Sequence, residues 1–177
     1  PKPQNPSCLN KINNYLNLSF DNYKTDLSLI KSVIKSNAKR KTILQDRIKK
    51  ILSNKIKKTK IAILGVTFKP NTDDMRESSS LLLIPYLEKK GALITYYDPS
   101  GKKEFFDKFK NVCFCKSTKE TCFKTDLIII HTEWDEFKSI DFKKISKNNN
   151  IKVYDMRNLY SPKKMKKIGI NYYSIGR

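Results

Sequence analysis

Histidine is nearly missing from this chain. One, His131, stands among 177 residues, beside four cysteines, five glycines and a single tryptophan. Each scarcity excludes a class of chemistry. Cys113, Cys115 and Cys122 lie close together but lack zinc-ribbon spacing, and no second histidine can complete a tetrahedral set, so no metal site is expected. On a strand Cys113 and Cys115 would share a face, and these thiols read as buried and free. Glycine is too sparse for a dinucleotide fingerprint or a P-loop: the most suggestive loop holds only Gly65, where G-x-G-x-x-G needs three. No apolar run reaches the ~20 residues of a membrane-spanning helix, and no signal peptide opens the chain, so a cytoplasmic protein without a membrane partner is expected. Acidic residues are also few, 17 against 37 Lys and Arg, for a net charge of +20. That excess has two readings, a Lys- and Asn-rich coding bias or an anionic ligand. Lysine is spread over the whole chain and no nucleic-acid motif occurs. Nucleic acid is therefore not an expected partner, whereas attraction of phosphates is.

What is present suits one ordinary domain with an extra helix and an arm. Residues 1–25 are polar, with Pro1, Pro3 and Pro6, and read as an irregular arm with a short helix near Ile12–Leu16. Residues 26–57 carry Leu27, Ile30, Ile34, Ile43, Leu44, Ile48, Ile51 and Leu52 at helical spacing, with Thr25 or Asp26 as the cap. A helix that long often connects domains or forms a dimer. From residue 58 to 177 strands and helices alternate. Strands are expected at 61–64, 93–97, 112–115, 127–130, 151–154 and 172–174. Helices are expected at 78–90, 102–109, 119–122, 142–146 and 162–168. Continuous apolar strands between helices predict an α/β fold: a Rossmann-like, doubly wound parallel sheet preceded by a long connecting helix. In that class ligands bind beyond the carboxyl ends of the strands.

Three loops at that edge carry the candidate chemistry. Gly65–Ser78 offers Lys69 and Arg76, one a point charge and the other a bidentate fork for phosphate. Ser78, Ser79 and Ser80 then open a helix, where free amides favour anions. The alternative is a capped loop with a local Arg–Asp pair. His131–Phe137 follows the most apolar strand. Its Trp134 either stacks on a ligand ring or plugs the loop, and a catalytic role for His131 is not expected. Asp155–Asn158 places Arg157 at a strand end, either on a phosphate or sugar or in a buried Arg–Asp pair. The residues alone point to an anionic, nucleotide-like ligand.

The string GVTFKPNTDDMRESSS, then YYDP, HTEWDEF, VYDMRN and Gly176, resembles the C-terminal domain of the UDP-glucose dehydrogenases, whose wider family includes GDP-mannose and UDP-N-acetylmannosamine dehydrogenases. DLSLIKSVIKSNAKRKTILQDRI, with Asn37 and Arg40, resembles that family's central dimer-forming helix. The resemblance implies a UDP-sugar-binding Rossmann-like domain over 58–177, a dimerisation helix over 26–57, and a homodimer. It implies the C-terminal part of an enzyme that oxidises UDP-glucose to UDP-glucuronate with NAD, whose N-terminal NAD-binding domain is not among these residues. Phe68, Lys69 and Arg157 resemble substrate-contacting positions, and Arg76 an arginine that reaches the cofactor. Cys8 resembles the catalytic cysteine, whose thiolate would attack an aldehyde to form a thiohemiacetal and then a thioester. Ser7 and Lys11 fit that motif. Asn5 and Pro6 stand where it has glycines, Asn10 where it has proline and Ile12 where it has aspartate. The other reading is that Lys2 ends a motif whose cysteine lies upstream. A non-catalytic nucleotide-binding or dimerisation remnant is the alternative for the whole chain.

Overall fold

The computed structural model describes residues 28–145 and 151–176, without the side chains of Lys41 and Lys143. The expected arm, its short helix, the Thr25 or Asp26 cap and Cys8 lie outside the described residues. Two compact units divide between Ile43 and Leu44.

Helix α1 spans Ser28–Ile51. It ends short of the expected boundary because Ser53 and Asn54 turn left-handed, at φ 50° and 63°. The Asn54 amide then reaches back to the Lys49 carbonyl at 2.8 Å, closing the last turn. In the first unit, the helix leaves Leu29, Ile30, Val33 and Ile43 exposed. In the second, Leu44, Ile48 and Ile51 are buried.

The second unit is one parallel sheet. Its strands are β1 (Lys60–Leu64), β2 (Leu93–Tyr97), β3 (Val112–Phe114), β4 (Leu127–Ile130), β5 (Lys152–Asp155) and β6 (Asn171–Ser174). Their order across the sheet is β3-β2-β1-β4-β5-β6. The chain therefore winds outward from β1 in one direction and then returns to add β4 on its other side. Register places Leu64 beside both Tyr97 and Ile130, and Ile130 beside Asp155, so four carboxyl ends lie in a row.

The strand sequences explain the central position of β1 and β4. Ile61–Leu64 and Leu127–Ile130 are fully buried, as strands covered on both faces must be. One face packs Ile61, Ile63, Ile129 and Tyr154 against Ile48, Leu83, Ile84 and Leu87. The other packs Ala62, Leu64, Ile128 and Val153 against Cys122, Phe137, Phe142 and Met165. Each fully buried Ile or Leu contributes about 1.5–3 kcal/mol. The helices behind these contacts are α2 (Ser80–Lys89), α3 (Thr118–Thr121), α4 (Phe142–Ile145) and α5 (Pro162–Lys167).

Two expectations need correction. The helix expected over 102–109 is only a 3-10 turn at Glu104–Phe106. The buried Tyr96 hydroxyl accepts the Lys103 amide at 3.0 Å, and Phe105, Phe106 and Phe109 pack as a short apolar knot against the core. Cys113 is exposed, whereas Cys115 and Cys122 are buried. β3 is an edge strand that ends at Phe114, so Cys115 leaves the pleat and the two thiols do not share a buried face.

Candidate functional site

The loops after β1, β2, β4 and β5 are tied into one surface by a few groups. Gly65 makes the first tie by having no side chain. It sits at φ +77°, and a Cβ there would lie 2.5 Å from the Thr132 Cβ and 3.0 Å from the Thr132 amide. Only glycine permits this approach of the loops after β1 and β4. Thr132 Oγ1 then donates to the Thr67 carbonyl at 2.8 Å.

Asp98, at the end of β2, makes the second tie. Its side chain is 1% exposed. Oδ2 accepts the Val66 amide at 2.7 Å, the Thr67 amide at 3.2 Å and the Thr67 hydroxyl at 3.3 Å. Oδ1 accepts the Ser100 amide and hydroxyl. The sequence marked this residue only as a strand-closing turn before Pro99. The available signal was the Asp-x-Ser spacing, which lets a carboxylate bond the amide two residues on.

Arg157 makes the third tie. Its Nε donates to the His131 carbonyl at 2.7 Å and lies 2.9 Å from Glu133 Oε2, and Nη2 donates to the Phe68 carbonyl at 3.3 Å. The expected alternative of a buried Arg–Asp pair does not form. Asp155 instead accepts the Arg157 amide, the Tyr160 amide and the Tyr172 hydroxyl. Glu133 is the acidic partner, and Nη1 of Arg157 has no hydrogen-bond partner among the described residues. Arg157 therefore meets the Phe68 backbone, and the Phe68 residue is 49% exposed.

Lys69 and Arg76 share the loop after β1, which the Phe68 amide closes on the Asp74 carbonyl at 2.9 Å. Lys69 is exposed. Arg76 forks onto Asp74, with Nε and Nη2 both engaged at 2.8–3.1 Å. These bonds hold the Asp74 carboxyl below its ordinary range and push the Arg76 guanidinium up. The local Arg–Asp pair is thus present, yet 77% of the Arg76 side chain faces solvent.

The three serines do not offer an anion site. Ser78 and Ser80 both donate to the Val66 carbonyl, at 2.7 and 2.6 Å. The Leu81, Leu82 and Leu83 amides are paired with the Ser78 and Ser79 carbonyls, so the first turn of α2 has no amides to spare for a phosphate. Trp134 is half-buried in the core face with Phe137, which makes it a packing plug. Among the described residues no group of His, Cys, Asp and Glu is arranged to hold a metal ion, and no helix is long and apolar enough to cross a membrane.

His131 lies at the centre of the tied loops, 1% exposed. Burial, and then the nearby Arg157 charge, push its pKa down to about 3. It is uncharged in the folded protein and accepts a proton near pH 6.5 in an unfolded chain. Between those values the unfolded state binds more protons, so stability rises with pH across the window and is lost as pH falls. Lowering the pH from 7 to 5 is expected to cost about 2 kcal/mol through this residue. Urea melts of the chain and of a His131→Asn variant would check it. Equal pH slopes in the two would refute the assignment.

The sequence matches the UDP-binding domain of the UDP-glucose/GDP-mannose dehydrogenase family over residues 62–162. It is 38% identical over 177 residues to the UDP-glucose 6-dehydrogenase of Rickettsia prowazekii, covering 96% of this chain and 40% of that protein. It is 32% identical over 172 residues to the UDP-glucose 6-dehydrogenase of Rhizobium meliloti, covering 97% of this chain and 39% of that one. The chain thus spans about 40% of the length of these relatives. Among solved structures, a UDP-glucose dehydrogenase from Pyrobaculum islandicum superposes with a TM-score of 0.71 at 20% identity, over 88% of this chain and 33% of that one, a likeness of fold. A UDP-D-ManNAc dehydrogenase from Pyrococcus horikoshii superposes at 0.69 with 25% identity, over 89% and 36%.

Proposed function

Because the chain belongs to the UDP-glucose/GDP-mannose dehydrogenase family through its UDP-binding domain, we propose that it is the UDP-sugar-binding C-terminal part of an NAD-dependent UDP-glucose 6-dehydrogenase. The observation that carries this reading is the Arg157 fork. It is braced by His131, Glu133 and Phe68 at the edge where the four strand ends align, and its Nη1 has no hydrogen-bond partner among the described residues. A braced guanidinium with spare donors suits a diphosphate. Exposed Phe68, whose carbonyl the fork holds, supplies an apolar face for a ring, and exposed Lys69 adds a charge on the same loop.

Arg76 is assigned to the cofactor. Asp74 fixes its orientation while most of the side chain stands in solvent, and Nη1 has no partner among the described residues, which fits a dinucleotide phosphate arriving from outside this domain. When bound, NAD supplies the hydride acceptor for both oxidation steps. Cys8 is assigned as the nucleophile whose thiolate takes the aldehyde carbon. Helix α1 is assigned to dimerisation, supported by exposed Leu29, Ile30 and Val33 on its first turns. A substrate and cofactor of this kind support a cytoplasmic setting.

Calorimetry with UDP and UDP-glucose tests the reading. Arg157→Ala is expected to weaken UDP binding by roughly 10- to 100-fold, the worth of charge-assisted hydrogen bonds to phosphate. A melt separates this loss from loosening of the loops that Arg157 ties. Failure of the unaltered chain to bind UDP at millimolar concentration would sink the proposal. Restoration of UDP-glucose oxidation by adding a separate NAD-binding domain would support the enzymatic half of it over a binding remnant.

A further inference from the structure

His131 is joined to its surroundings by a chain of hydrogen bonds whose direction can be worked out by counting protons. Thr132 Oγ1 donates its only proton to the Thr67 carbonyl, at 2.8 Å. It lies 3.0 Å from His131 Nδ1, so it must accept there. Nδ1 therefore carries the hydrogen. An uncharged ring then has a bare Nε2, and Ser79 Oγ, 2.8 Å away, must be the donor. The order runs Ser79 to His131 to Thr132 to Thr67, every proton in it used once.

A serine donating to a histidine suggests a nucleophilic pair, but this one is wrong for that work. A general base is most effective with a pKa near the operating pH. His131 is far below it, pushed to about 3 by burial and by Arg157. The ring is also closed off on both nitrogens. Its geometry suits bracing rather than proton transfer.

We infer that His131 is a positioning residue for the ligand edge: its side chain, as the Nδ1–H tautomer, clamps the start of α2 to the loop after β4 and so fixes the carbonyl on which Arg157 rests. Ser79 precedes α2, Thr132 follows β4, and the carbonyl between them takes the Arg157 Nε at 2.7 Å. The same clamp leaves the Ser79 oxygen with only lone pairs to offer, so it accepts hydrogen bonds and does not donate to phosphate. The inference rests on the reading that Arg157 meets the diphosphate.

The test separates phosphate from base by titrating UDP and uridine into the 177-residue chain. His131→Leu is expected to raise the UDP Kd about tenfold while uridine shifts less than about twofold. His131→Asn, whose amide can still donate towards Thr132 but cannot reach Ser79, should give an intermediate loss. In an Arg157→Ala background, His131→Leu should add less than about twofold, because both act through one group. Equal weakening of UDP and uridine, or full additivity with Arg157→Ala, would overturn the inference and leave the Arg157 assignment intact. Arg157→Ala without effect on UDP would instead overturn that assignment and the inference with it. Nitrogen-15 imidazole shifts of the unaltered chain at pH 7 provide a check that no misfolded variant can spoil. A protonated Nδ1 and bare Nε2 support the proton order, and the opposite tautomer refutes it.

Discussion

Asp98→Ala is expected to lower the melting temperature by on the order of 10 °C, the largest effect of any single substitution considered. Both carboxylate oxygens are buried, and together they accept the Val66, Thr67 and Ser100 amides and the Thr67 and Ser100 hydroxyls. Alanine removes every acceptor at once and lets little water in. A buried amide left without a partner costs about 1–3 kcal/mol, and two of the three amides lie in the buried segment Val66–Thr67. Hydroxyls can rotate to new partners, so their share is smaller. The sum is roughly 3–5 kcal/mol, near what breaking a buried charged network costs. Asp98→Asn retains one oxygen and should lose about half as much, while turning an amide donor towards groups that also donate. Differential scanning calorimetry of the three chains decides the matter. A shift under about 3 °C for the alanine variant would show that the loops after β1 and β2 hold together without the carboxylate.

Gly65→Ala is expected to cost roughly 2–4 kcal/mol, and its origin can be separated from that of Asp98. Two costs add. An alanine at φ +77° pays about 1–2 kcal/mol for the left-handed backbone. Its methyl would also stand 2.5 Å from the Thr132 Cβ and 3.0 Å from the Thr132 amide, in a place where neither neighbour can swing aside. Relief therefore requires the loops after β1 and β4 to part, which pulls Thr67 from Thr132 and disturbs the carbonyls under Arg157. Thr132→Gly in the same chain should recover part of the loss, because it removes the facing Cβ. Denaturant melts of the two single variants and the double variant measure that coupling. An alanine variant within 1 kcal/mol of the parent would mean that the close approach is not a real constraint.

The sheet was legible because its signal is local. Ile61–Leu64 and Leu127–Ile130 are unbroken apolar runs between turn residues, and such runs have few alternatives to buried parallel strands. The placement of Lys69, Arg76 and Arg157 in loops that follow strand ends was legible as well, because it follows from the strands themselves. What was not legible is how those loops are joined. Asp98 bonds amides 31 and 32 residues away, and His131 meets Ser79 across 52. No pattern within a short window encodes such a bond. The 102–109 segment failed for a related reason. Phe105, Phe106 and Phe109 have helical spacing, but the tyrosine hydroxyl that captures the Lys103 amide belongs to β2. The serines misled because sequence shows their hydroxyls and not the Val66 carbonyl that consumes two of them.

The strand order carries a consequence for how the molecule comes together in time. β1, β2 and β3 are consecutive in the chain and adjacent in the sheet, so they can pair as soon as they exist. β4 must then return past two strands to find β1, across a separation that places the Lys60 amide on the Asp126 carboxylate 66 residues later. Long loop closures of that kind are slow, because the entropy of joining is spent before the contacts are made. The surface around Gly65, Thr132 and Arg157 straddles this seam. Its formation reports that the two halves of the sheet have joined, and a ligand bound there as proposed would fasten the older half to the younger.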